Sequence, residues 1–106
     1  MKTHVISIAV LLTLMPSAAR AQGGDAVKGL AVAQAQCAQC HAIHKGAAPS
    51  PNVRAPTFAA IAAVPGMTAI ALNAFLLTSH ATMPNIILTA DDRRDLVAYI
   101  VSLRAD

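Results

Sequence analysis

Large rings are scarce in this chain of 106 residues, which has no tryptophan, one tyrosine and two phenylalanines. Charged residues make up only 12% of it. Bases have almost nothing to stack on and no basic cluster to follow, so the composition gives no support to nucleic-acid binding. Cysteine occurs twice, leaving no second thiol pair for a zinc site. No alternating strand pattern and no internal repeat is visible, and the length suits a single domain. The apolar run Val5 to Met15 is about half the roughly 20 residues a membrane-spanning helix requires.

That run has another meaning. Lys2 precedes it, Pro16 and Ser17 follow it, and Ala19-Arg20-Ala21 ends in a small-x-small pattern. This is the layout of a secretory signal peptide over residues 1–21, cleaved after Ala21, and it predicts a periplasmic protein. The competing reading is an uncleaved anchor. Cleavage removes Lys2 and Arg20, so the formal charge of +3 falls by two and a domain over 22–106 remains. Its three rings are Phe58, Phe75 and Tyr99, and alanine supplies much of its apolar content. So thin a core needs a staple or a large buried partner.

Within 22–106 the expected elements are helical. Asp25 caps a helix running to about Gln36. Residues 37–57 are rich in Gly, Ala, Pro and Ser and read as a loop. Phe58 to Ala63 suits a short helix, ended by Pro65-Gly66. Thr68 caps a helix from Ala69 to about Ser79, with Leu72, Phe75, Leu76 and Ser79 on one face. A loop over 80–88 contains Met83-Pro84-Asn85. Thr89 opens the last helix, with Asp91 and Asp92 at its positive end and Arg104 near its negative end. There Leu96, Tyr99, Ile100 and Leu103 keep the spacing of one buried stripe. The fold class is all-α, with about four helices around a centre.

The chemistry is concentrated in Cys37-Ala38-Gln39-Cys40-His41, a C-x-x-C-H run. Two thiols two residues apart can reach neighbouring vinyl groups of one haem as thioethers. The next residue, His41, then turns its imidazole to the iron. A thioredoxin-like pair would need a βαβ setting. A zinc site would crowd Cys37, Cys40, His41 and His44 into one turn. A plain disulfide suits an exported chain but leaves His41 without a role. The haem reading alone employs all three residues and predicts one covalently bound haem c per chain.

A six-coordinate carrier requires a second axial ligand. Met83, 42 residues after His41 in a loop and followed by Pro84, is the candidate. A thioether is soft and favours ferrous iron. His80 competes, and His44 is too close to His41 to reach the far face. Met67 reads as packing.

On these residues the sequence resembles the class I c-type cytochromes, in their small bacterial monohaem form, over residues 23–104. Gly24-Asp25-Ala26-Val27-Lys28-Gly29 resembles the family's first helix, with Gly29 eight residues before Cys37. Leu96-Val97-Ala98-Tyr99-Ile100 resembles the last helix, which the family crosses closely over that glycine. Ala55-Pro56-Thr57-Phe58 resembles the turn whose proline carbonyl accepts the histidine Nδ1–H; Pro51 is the rival for that role. The chain departs from the family at Ala33, where an aromatic is usual, and in having no tryptophan for a haem propionate, a place Arg54 could take.

The resemblance implies an electron-transfer protein rather than an enzyme, with His41/Met83 iron, no membrane span after cleavage, and redox proteins as partners. Two alternatives stay open: a cytochrome c subunit accepting electrons from a partner dehydrogenase, and a haem enzyme with peroxidase-like activity, for which only His80 is near. Docking would centre on Ala47, Ala48, Ala81 and Ile86, or else on a charged patch of Lys28, Lys45 and Arg54.

Overall fold

The computed structural model describes residues 23–46 and 48–104. Among the described residues there are four helices and no strand: α1 (Ala26–Gln36), α2 (Phe58–Ala63), α3 (Ala69–Leu77) and α4 (Ala90–Ser102). Each begins at a side chain that satisfies free backbone N–H groups. The Asp25 carboxylate accepts from the N–H groups of Val27 at 2.9 Å and Lys28 at 3.2 Å. Thr57, Thr68 and Thr89 accept from Ala60, Ala71 and Asp92 at 3.0, 3.1 and 3.0 Å. Such caps contribute about 1 kcal/mol each. The helices are short and alanine-rich, so these caps carry a larger share of helix definition than amphipathic patterning does.

The principal packing is α1 across α4. Two backbones approach so closely that only glycine fits. A Cβ on Gly29 would fall inside the radius of the Asp95 carbonyl oxygen and 2.7 Å from the Tyr99 Cβ. A Cβ on Gly24 would meet the Arg94 carbonyl and lie 2.6 Å from the Asp95 nitrogen. The Asp25 N–H donates to Asp95 Oδ1 at 2.7 Å and pins the start of α1 to the middle of α4. Leu96, Tyr99, Ile100 and Leu103 are all buried, as their spacing predicts, and they meet Ala33, Phe58, Ala62 and Leu72 in one core. Leu96 is the one large side chain excluded almost wholly from solvent among the described residues.

Two expectations need correction. α3 stops at Leu77 rather than near Ser79, because Thr78 turns into extended backbone and its hydroxyl donates to the Ala74 carbonyl at 2.8 Å. Its presumed apolar face is therefore incomplete: Leu72 is buried and Leu76 half-buried, but Phe75 is about half exposed and Ser79 lies beyond the helix. Arg104 stands just past the negative end of α4, where its backbone N–H donates to the Val101 carbonyl at 3.1 Å, but its side chain turns away from that helix. Its guanidinium donates to the Ala62 carbonyl at 3.1 Å and to the Met67 carbonyl, closing the C-terminal end of α2. The interval 1–21 read as a signal peptide is outside the described residues, as is Ala47.

Candidate functional site

α1 delivers the first part of the site. It ends at Cys37, whose carbonyl accepts from Cys40 N–H at 3.1 Å and His41 N–H at 2.9 Å. One further turn of chain therefore carries Cys37, Cys40 and His41 together. No disulfide joins the two cysteines. Cys37 is buried, and burial pushes its thiol up to about 11, so it stays protonated and is a poor thiolate ligand or redox nucleophile. Among the described residues no three His, Cys, Asp or Glu side chains converge on a point that could hold a metal ion, so the four donors of a structural zinc are not assembled.

The loop after His41 is a fixed frame. Ala42 N–H donates to the hydroxyl of the buried Ser50 at 3.0 Å, Asn52 N–H to the Cys40 carbonyl at 3.1 Å, and Phe58 N–H to the Ala42 carbonyl at 2.9 Å. This brings the Pro56 carbonyl to 2.7 Å from His41 Nδ1. A carbonyl can only accept, so Nδ1 bears a proton, and the tautomer this selects in the neutral ring has its lone pair on Nε2, where a metal can bind. Pro56, and not Pro51, makes this contact; Pro51 lines an open groove with His44 and Lys45.

Phe58 packs on the His41 ring at 5.4 Å between centroids and on Tyr99 at 6.5 Å. The Tyr99 hydroxyl donates to the Ile43 carbonyl at 2.6 Å, and its burial raises its pKa. α4 thus supports the imidazole through two rings and a hydrogen bond. The need of a buried tyrosine for a partner was legible in the sequence; the identity of that partner, and the parts played by Phe58 and Ser50, had no local signal.

Met83 comes from the other side. It is half-buried and ends a tight turn in which the His80 and Met83 backbones pair. A cleft of about 350 Å³ is lined by Cys40, His41, Pro56, Arg54, His80 and Met83. A smaller one, of about 20 Å³, lies between Cys37, Leu96, Phe75, His80 and Met83. The structure thus brings together Cys40, His41, Pro56 and Met83, with Cys37 reached through the neighbouring cleft. His80 shares both clefts and stacks on Phe75 at 5.8 Å with planes 24° apart. His44 is exposed in its separate groove. Of the expected docking residues, Ala48 and Ala81 are exposed and Ile86 is half-buried at the smaller cleft.

A family model described as cytochrome C oxidase, cbb3-type, subunit III matches residues 24–100. The chain belongs to this family of c-type cytochromes. The cytochrome is also 35% identical over 104 residues to Cytochrome c-552 of Bradyrhizobium diazoefficiens, covering 98% of this chain and 99% of that one. No solved structure matches it. Membership points to electron carriage with a c-type haem. The donor set fits that group: an imidazole held by Nδ1 lines a cleft shared with a soft thioether and the Cys40 thiol, and the Cys37 thiol lines the neighbouring cleft. Among the described residues no helix of the cytochrome is long and apolar enough to cross a membrane.

Proposed function

We propose that this cytochrome carries single electrons in the periplasm through one covalently bound haem c, with residues 1–21 as a cleaved signal peptide and 22–106 as the working domain. The observation that carries the reading is the single cleft lined by Cys40, His41, Pro56 and Met83, in which the Pro56 carbonyl holds the imidazole by Nδ1. When bound, the haem supplies a one-electron ferric/ferrous couple. Cys37 and Cys40 hold it as thioethers, and the C-terminal turn of α1 sets their spacing. His41 presents Nε2 to the iron, and the bond to Pro56 fixes its ring and raises its basicity. Met83 would supply a second donor to the iron, a soft thioether that favours the ferrous state and raises the potential. Arg54 lines the same cleft and is the candidate partner for a propionate. A site of this kind needs no substrate pocket and little rearrangement on redox change, which separates a carrier from an enzyme.

The description of the matching family as an oxidase subunit keeps a second reading open, in which the same domain works as a cytochrome c subunit of a larger oxidoreductase, a partner dehydrogenase being one form of it. Copurification from membranes or from the soluble periplasmic fraction separates the two.

The test of the ligand set is the optical spectrum of the mature protein with Met83→Leu. The variant is expected to lose the weak near-infrared band of a ferric iron–thioether bond and to show a lower potential. If that band survives in Met83→Leu, another sulfur binds the iron and the ligand assignment is wrong.

A further inference from the structure

The two clefts that meet at the site have three residues in common, His80, Met83 and Pro84, and two of these carry atoms able to bind iron. We propose that His80 is a reserve ligand for the sixth position, parked beside Met83 and able to replace it. This rests on the reading of Met83 as the resident ligand. Paired backbones place both residues at the ends of one short turn. The turn lies between the end of α3 at Leu77 and the start of α4 at Ala90, so the exchange calls for movement of a loop and no shift of a helix. While Met83 serves, the His80 ring rests on Phe75, itself about half exposed, at the rim of the smaller cleft. An exposed ring stack is a weak hold, and a bond from imidazole to iron outweighs it. The thioether is the softer donor and favours ferrous iron, whereas imidazole serves ferric iron well, so the exchange is expected chiefly in the oxidised protein. Its consequence is that loss of the thioether does not open the iron to small ligands.

The experiment uses the haem-loaded protein at neutral pH, with His80→Ala, Met83→Ala and the double variant, and Met83→Ser as a second small replacement. Covalent haem content and helical circular dichroism establish that each is folded. His80→Ala is expected to keep the wild-type spectrum. Ferric Met83→Ala and Met83→Ser should be low-spin without the thioether band. The double variant should be high-spin and bind added imidazole at least tenfold more tightly than Met83→Ala. High-spin Met83→Ala with the imidazole affinity of the double variant overturns the proposal. A thioether band absent from both the wild type and His80→Ala overturns the Met83 assignment instead, and the proposal with it, so the two failures are told apart.

Discussion

Replacing Gly29 by alanine sets two opposing effects of one methyl group against each other. In an exposed helix interior the change stabilises by about 1 kcal/mol, because alanine loses less backbone entropy than glycine. Here the added Cβ would overlap the Asp95 carbonyl oxygen and lie 2.6 Å from the Asp95 carbonyl carbon and 2.7 Å from the Tyr99 Cβ. Two of these three atoms are backbone and the third is the root of a buried side chain, so none can swing aside. α1 must lift from α4, and the Asp25–Asp95 hydrogen bond at 2.7 Å lifts with it. Overpacking costs about 1–3 kcal/mol, and an overlap this deep belongs at the upper end. Losing the hydrogen bond adds about 1 kcal/mol. The net destabilisation is about 2–3 kcal/mol, or a fall in Tm of roughly 10–20 °C for a domain of this size. Thermal melting of the haem-loaded protein measures it, with Gly23→Ala as control because nothing lies within 4 Å of a Cβ there. Leucine at position 29 should be worse still. A Gly29→Ala protein that melts at or above the wild-type temperature would show the helix-propensity gain unopposed, and the close crossing of α1 and α4 would be refuted.

Cys37→Ser combined with Cys40→Ser should lose haem to acid-acetone extraction, where the wild type retains it; retention in the double variant would end the thioether assignment. Tyr99→Phe removes the donor from the buried Ile43 carbonyl and should cost about 1–3 kcal/mol, read in chemical denaturation, with a change below 0.5 kcal/mol counting against that bond. With residues 1–21 removed, as proposed, the chain would carry six Lys and Arg against five Asp and Glu, so charge steering would be weak. Stopped-flow electron-transfer rates with a partner should therefore change only mildly from low to physiological ionic strength; a tenfold fall would place docking on Lys28, Lys45 and Arg54.

The helices were legible because their starts are chemical rather than statistical. Asp25, Thr68 and Thr89 each stand where a side-chain oxygen can reach an N–H two or three residues on, and Thr57, which the sequence reading passed over, does the same for α2. The end of α3 was not legible, since a threonine hydroxyl bonding back to its own helix looks the same in sequence as one facing solvent. The partners of the Arg104 side chain were hidden for a similar reason: its place near the negative end of α4 can be read from spacing, but the carbonyls its guanidinium reaches belong to α2 and the turn after it, 42 and 37 residues away. The close approach at Gly29 was implied by the family resemblance, whereas Gly24 makes an equally close approach that the sequence reading did not single out. In the site, the C-x-x-C-H spacing carries its own chemistry. The contact of Phe58 with His41 arises only once the loop folds back, and no spacing along the chain encodes it.

The joint between Asp25 and Asp95 spans 70 positions, which orders events during synthesis. α1 and the turn holding both thiols exist as chain long before α4 does, and α1 has no partner to pack on until α4 arrives. Cys37 belongs to the same core cluster as Leu96, Tyr99 and Ile100, so its burial is completed by the last segment to be made. The Cys37 thiol is therefore open in any chain whose final helix has yet to pack, and docking of α4 closes that window. A chain cut short before Ala90 would leave the thiol open.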